Sequence, residues 1–211
     1  MIDFPLTKNP QPSPVMSDPK ELPAHLTGGN FLFTETSPAL VFTPEELSSD
    51  EREMASTAEK FMDKEVLPHL EALEHREEGL ALKYFRQAAG LGLLAVEVPE
   101  EYGGLGLGKV AGIGVAEQLS RLAGFGITCG AHSGIGTGPI TYFGNEAQRK
   151  KYLPALVSGE QVGALAMSEA EAGSDVVSMR LRADKKGDRY ILNGTKMWIT
   201  NGPHADTLLV Y

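Results

Sequence analysis

From Thr43 apolar positions recur every three or four residues, and after Gly159 they give way to short runs rich in β-branched and aromatic residues. Thr43-Pro44-Glu45-Glu46 and Ser48-Ser49-Asp50-Glu51 each place a capping hydroxyl three positions ahead of a glutamate, the pattern that opens a helix. Met54, Ala58, Phe61, Met62 and Val66 then fall on one helical face, which predicts an amphipathic helix running to Pro68 or beyond. A second helix is predicted over Leu80 to Ala89. Ala111, Val115, Leu119 and Leu122 mark a third, after the loop "PEEYGGLGLG". Further helical stretches are expected from Ile127 to Phe143 and from Asn145 to Leu156, the latter opened by Asn145 with Gln148 three on.

Past Gly159 the period changes. "VGALAMS", "VVSMRLRAD", "RYILNG", "TKMWIT" and "DTLLVY" read as strands, separated by turns such as Lys186-Gly187-Asp188 and Asn193-Gly194. The expected fold is α+β: an N-terminal all-α domain over 42–158, then the first strands of an antiparallel β-domain over 159–211. Residues 1–41 form a Pro-rich arm, with six prolines in the first 30 positions. An apolar strand at Tyr211 calls for neighbours, so the chain is expected to be the front part of a larger protein.

Composition narrows the function classes. A net charge of −9 disfavours binding driven by nucleic acid or anionic lipid, so no nucleic-acid partner is expected. A single cysteine, Cys129, supports neither a disulfide framework nor a Cys-based metal site, and a reducing compartment fits. No transmembrane run, secretory signal or transit peptide is recognised; the first 30 residues lack Arg and include Asp3, Asp18 and Glu21. A cytoplasmic location is expected.

Several motifs resolve to structure. Gly103 to Lys109 fits a phosphate-binding loop, but Val110 stands where a Ser or Thr hydroxyl is needed, and no strand precedes it. "GIGTG", Gly134 to Gly138, sits inside a helical pattern and reads as close packing or a lined cavity. His69 and His75 among Glu71, Glu74 and Glu78 read as a solvated helix face, so no metal is expected. His132 beside Ser133 lacks a third group for a nucleophilic triad and reads as a buried, hydrogen-bonded histidine.

Two stretches carry chemistry. "ALAMSEAEAGSD", Ala164 to Asp175, turns from apolar to hydroxyls, acids and glycine with no Lys or Arg. "YILNGTKMWITNG", Tyr190 to Gly202, holds the only Trp and ends in Thr200-Asn201-Gly202. Together they can frame a flat heteroaromatic ligand, the indole against its ring and backbone groups at its polar edge, with a phosphate tail on the Gly173-Ser174 amides. An ordinary pair of β-hairpins with turn serines is the alternative.

These two stretches, with "FGNEAQRKKYLPALVSGE" and "PEEYGGLGLG", resemble the acyl-CoA dehydrogenases over about Phe42 to Tyr211. The resemblance implies an N-terminal helical domain, a middle β-domain and a C-terminal helical bundle, the last absent from this chain. It implies FAD as cofactor, with Leu165, Met167, Ser168, Gly173 and Ser174 along the flavin and its diphosphate. Trp198, Ile199 and Thr200 would cover the other side, the Thr200 hydroxyl facing flavin N5. Ala170 departs from the family's usual proline.

The implied reaction is α,β-dehydrogenation of an acyl-CoA thioester, with a glutamate base removing the α-proton and a hydride leaving to the flavin. That base is expected beyond Tyr211; Glu169 and Glu171 are expected to serve turn and surface hydrogen bonding. Ser174, Ala131 and Ile135 are the substrate-binding candidates. "GGNFLFTETSPALVFTPEEL" and "GAHSGIGTGPITYFGN" are similar to the long-chain and very-long-chain branch, and small residues at Gly130, Ala131 and Gly134 leave room for a long tail. The flavin motifs are closer to the isovaleryl-CoA branch; a long-chain substrate is expected, with a branched short-chain one as the alternative. The resemblance also implies an electron-transfer flavoprotein as acceptor and a homo-oligomer. The alternative from another class is a noncatalytic binding or scaffolding module.

Overall fold

In the computed structural model, which describes Leu32 and residues 41–211, the first regular helix is α1, Ser49–Phe61. Its start follows from the Ser48 capping box: the Ser48 hydroxyl accepts the Glu51 N–H and the Glu51 carboxylate accepts the Ser48 N–H at 2.7 Å. The Thr43 signal opens only one 3-10 turn, Pro44–Glu46. The Pro-rich segment 1–41 lies, Leu32 and Val41 apart, outside the described residues. Past Phe61 the helix widens into a π turn, Met62–Val66, and tightens to a 3-10 turn, Leu67–His69, around Pro68, which has no N–H to donate. A short α2, Leu70–Glu74, follows, with His69 and His75 on its exposed flanks.

The core forms where α1 lies along α4, Gly108–Leu119. Ala58, Phe61, Met62 and Val66 meet Ala111, Val115 and Leu119 there. Tyr84 and Phe85 of α3, Leu80–Gly90, and Phe125 of α5, Ala123–Gly130, close this core. Each large side chain so buried contributes about 1.5–3 kcal/mol. A second cluster gathers Ala95, Val98 and Tyr102 against Ile140 of α6, Gly138–Phe143, and Leu153 and Leu156 of α7, Glu146–Val157. The loop with the phosphate-loop-like glycines packs here through Tyr102 and Gly104, and the Lys109 ammonium is paired with Glu97.

The helix expected from Ile127 to Phe143 begins at Ala123 and changes character in the middle. Ala131–Thr137 is π-helical, because Pro139 cannot donate to the carbonyl one turn earlier and the backbone widens to accommodate it. The widened turn lets Gly136 lie directly on β1, Gly163–Ala166: a Cβ on Gly136 would sit 2.7 Å from the Gly163 carbonyl carbon. Gly136 is therefore a close-packing position, whereas Gly134 faces open space.

The strands depart from expectation in three places. β1 pairs with β4, Thr207–Val210, in parallel, with Gly163 opposite Thr207; only β2, Arg182–Lys186, and β3, Arg189–Asn193, form an antiparallel hairpin, turned at Gly187 (φ 63°) and Asp188. Parallel pairing needs a long crossover, and residues 167–206 supply it. Val176–Ser178 is a 3-10 turn, and Thr195–Thr200 is irregular because Trp198 adopts φ 60°. Asn193-Gly194 is no hairpin turn: Gly194 faces Leu181 so closely that a Cβ would lie 2.8 Å from the Leu181 Cα. Among the described residues no helix is long and apolar enough to cross a membrane, and no group of three or more His, Cys, Asp and Glu could hold a metal ion.

Candidate functional site

β1 leaves the interior after Ala166, and Met167 and Ser168 lead into a tight turn in which the Glu169 N–H donates to the Ala172 carbonyl at 2.9 Å. The Ser168 carbonyl accepts the Met197 N–H at 2.8 Å, which brings the two chemistry-bearing stretches together. Leu165, Met167, Ser168, Ile199 and Thr200 are half-buried beside this junction, and Gly173 and Ser174 lie on the exposed turn beyond it. The Trp198 side chain is 86% exposed. A bulky residue that combines positive φ with exposure of its indole is a strained conformation of the kind that clusters at ligand sites.

Below the junction sits a pair that the windowed sequence did not suggest. The Lys196 ammonium lies 2.9 Å from the Glu169 carboxylate, with side-chain exposures of 7% and 9%. Lys196 also donates to the Met167 carbonyl at 2.8 Å. The Glu169 carboxylate further accepts the N–H groups of Arg180 (2.7 Å) and Leu181 (2.9 Å). The expected surface role for Glu169 is thus corrected: it is an internal tie point, while Glu171 does stay at the surface, paired with Arg180 at 2.7 Å. Lys196, with help from the two N–H donors, lowers the Glu169 carboxyl to about 2, which makes it a poor proton acceptor. The cation missing from Ala164 to Asp175 arrives from 27 positions further on.

The neighbouring wall comes from α5 and the π turn. Ile127 (60% exposed), Gly130, Gly134 and Ile135 (48% exposed) share its outer side. Of the two wall candidates read from sequence, Ile135 faces out, whereas Ala131 is buried. Behind them His132 is fully buried: its Nε2–H donates to the Leu156 carbonyl at 3.1 Å and its Nδ1 accepts the Gly163 N–H at 2.9 Å. Burial pushes its pKa down to about 4, so the ring is neutral and structural. Ser133 bonds elsewhere, to the Leu94 carbonyl.

Asn201, read from sequence only as part of a turn, completes the frame. In the left-handed region at φ 66°, it donates its side-chain amide to the Thr128 carbonyl at 2.9 Å and, more weakly, to the Gly163 carbonyl at 3.3 Å. The helical wall, β1 and the Trp198 loop are thereby joined. The one available signal for Lys196 and Asn201 was polarity out of place, a lone lysine inside an apolar alternation and an asparagine after three ligand candidates.

Known proteins carry the same arrangement of sequence. The model of the acyl-CoA dehydrogenase N-terminal domain matches residues 48–160, and that of the middle domain matches 164–211. Mitochondrial isovaleryl-CoA dehydrogenase of Pongo abelii is 48% identical over 167 residues, covering 78% of this chain and 40% of that protein. A probable acyl-CoA dehydrogenase of Bacillus subtilis (strain 168) is 41% identical over 186 residues, 87% of this chain and 31% of that protein. The crystal structure of an acyl-CoA dehydrogenase complexed with FAD from Bacillus anthracis superposes with a TM-score of 0.83 at 48% identity, covering 88% of this chain and 32% of that one. The chain therefore spans two fifths or less of the length of these relatives. With one domain model spanning the helical layer and the other the segment that holds Ser168 and Trp198, the chain belongs to the acyl-CoA dehydrogenase family.

Proposed function

We propose that this chain supplies part of the flavin site of an FAD-dependent dehydrogenase that oxidises short, branched acyl-CoA thioesters to their 2-enoyl forms. The observation that carries the reading is the strained, 86% exposed Trp198, held beside Ser168 by the Met197–Ser168 hydrogen bond. An aromatic face flanked by uncharged donors suits a flat ring with a polar edge. Leu165, Met167 and Ser168 would hold one side of FAD, Trp198, Ile199 and Thr200 the other, and the Gly173 and Ser174 amides its phosphates. FAD, when bound, supplies the hydride acceptor for the substrate's β-hydrogen.

The chain's own residues orient and exclude. Trp198 would cover one ring face from water, and Ser168 and Thr200 would donate hydrogen bonds to the polar edge. Ser174 and Ile135 contribute to the substrate side. Glu169, committed to Lys196, is not the proton-abstracting base; as the family resemblance implies, that glutamate would come from outside residues 1–211. An electron-transfer flavoprotein would take the electrons away, and a homo-oligomer would complete the cofactor's surroundings. The helical unit is drawn at 42–158 and the β unit at 159–211.

Two considerations favour the branched substrate. The Pongo abelii and Bos taurus relatives, 48% and 47% identical, are named isovaleryl-CoA dehydrogenases, and exposed Ile127 and Ile135 flank the small residues on the outer side of α5 and the π turn. The open space at Gly130 and Gly134 supports a long acyl chain as the second reading. The test is anaerobic addition of isovaleryl-CoA or palmitoyl-CoA to the whole polypeptide containing this chain. Bleaching of the flavin colour at lower isovaleryl-CoA concentration is expected; preference for palmitoyl-CoA reverses the substrate assignment. A preparation that neither contains nor takes up flavin overturns the enzyme reading in favour of a noncatalytic module.

A further inference from the structure

We infer that the Lys196–Glu169 pair is the positioning device of this site, setting the Met167–Ser168 edge and the Trp198–Thr200 loop at the spacing a flat ring needs. Three segments distant in sequence converge on these two side chains. Glu169 accepts the N–H groups of Arg180 and Leu181, which fixes the entry to the β2–β3 hairpin. Lys196 bonds both Glu169 and the Met167 carbonyl, and its third contact is the Met179 sulfur at 3.2 Å. One residue further along, Met197 bonds the Ser168 carbonyl, and one further still Trp198 swings out at φ 60°. The positive-φ step therefore starts from an anchored residue, and the indole emerges in a defined direction.

Asn201 ties the far end of the loop to Thr128 and Gly163, and the Lys196–Glu169 pair holds its near end. Among the described residues the hairpin is mostly exposed and forms no backbone ladder with β1 or β4, which pair with each other. A buried ion pair with every strong acceptor and donor engaged resists sliding, because any shift of register leaves a charge unpaired inside the protein. Lys196 and Glu169 act through Trp198 and Ser168; they are positioning residues, and their consequence for cofactor binding rests on the proposed flavin function.

The single tryptophan makes the inference measurable in the chain itself. Time-resolved fluorescence anisotropy of Trp198 is compared in the native chain, Lys196→Met and Glu169→Gln, with far-UV circular dichroism and melting of the helices as fold controls. Glu169→Gln keeps the side-chain shape should Lys196→Met fail to fold. Faster local motion of Trp198 is expected in the variants while the helical signal stays intact, and FAD quenching of Trp198 is expected to weaken by at least about 5-fold in Kd. Unchanged Trp198 motion in a folded variant overturns the positioning role. Increased motion with unchanged FAD quenching overturns its link to the cofactor. Should the whole polypeptide containing this chain neither hold nor take up FAD, the flavin reading fails, and the anisotropy comparison in the chain itself still decides the role of the pair.

Discussion

The side-chain amide of Asn201 donates to the backbone carbonyl of Thr128 at 2.9 Å, joining two residues 73 positions apart. The first belongs to the Trp198 loop and the second to the helical wall, so this contact sets the distance between the two surfaces of the site. Asn201→Gly keeps the left-handed backbone and loses the donors; a cost of about 1–3 kcal/mol is expected in urea unfolding. Asn201→Asp should cost more, since it turns a carboxylate toward the carbonyls of Thr128 and Gly163. Equal stability of Asn201→Asp and the native chain would remove the contact from the account.

Acid should weaken the chain in two separate windows. Neutral His132 is favoured in the fold, where burial lowers its pKa from 6.5 to about 4. Below pH 6.5 the unfolded chain takes up the proton and the folded one does not, so stability falls as pH drops from about 6.5 to about 4, by a total of about 3 kcal/mol. Glu169, lowered from 4.5 to about 2, contributes stability that is present above 4.5 and lost as pH falls toward 2. Denaturant midpoints measured from pH 8 to pH 3.5 should show the first loss in the native chain. In His132→Gln the slope between pH 6.5 and 4.5 should be nearly absent.

Gly136 tests the close packing of the π turn on β1. In Gly136→Ala the new methyl would lie 2.7 Å from the Gly163 carbonyl carbon and 2.9 Å from the Ala164 nitrogen, both backbone atoms unable to rotate away. A loss of about 1–3 kcal/mol is expected. Gly134→Ala, with nothing within 4 Å of the added methyl, is the matched control and should not share that loss.

Thr200 tests the flavin reading from the chemical side. It is half-buried, and Thr200→Val keeps its shape while removing the hydroxyl donor. In the flavin-loaded whole polypeptide, reduction by acyl-CoA in stopped flow should slow by roughly 5- to 150-fold, the equivalent of about 1–3 kcal/mol. An unchanged rate at normal flavin content would make Thr200 a turn residue only.

What the sequence determined by itself were the features written within one turn of chain. The Ser48–Glu51 and Asn145–Gln148 boxes started α1 and α7 as expected, because a capping hydroxyl or amide and its partner lie three residues apart in any context. The apolar period found α1, α3 and α4, and the Gly187-Asp188 turn closed the one hairpin. The motifs from Leu165 to Ser174 and from Trp198 to Thr200 were legible as a pair before their proximity was known. Tertiary structure alone decided the rest. The parallel pairing of β1 with β4 depends on a crossover whose path no local pattern encodes. The irregular backbone at Trp198 overrides the strand propensity of Trp, Ile and Thr, since propensity is a weak preference that a few long-range contacts outweigh. Lys196 finds Glu169 across 27 positions and Asn201 finds Thr128 across 73, and a single buried charge or amide gains its meaning only from the partner that folding brings to it.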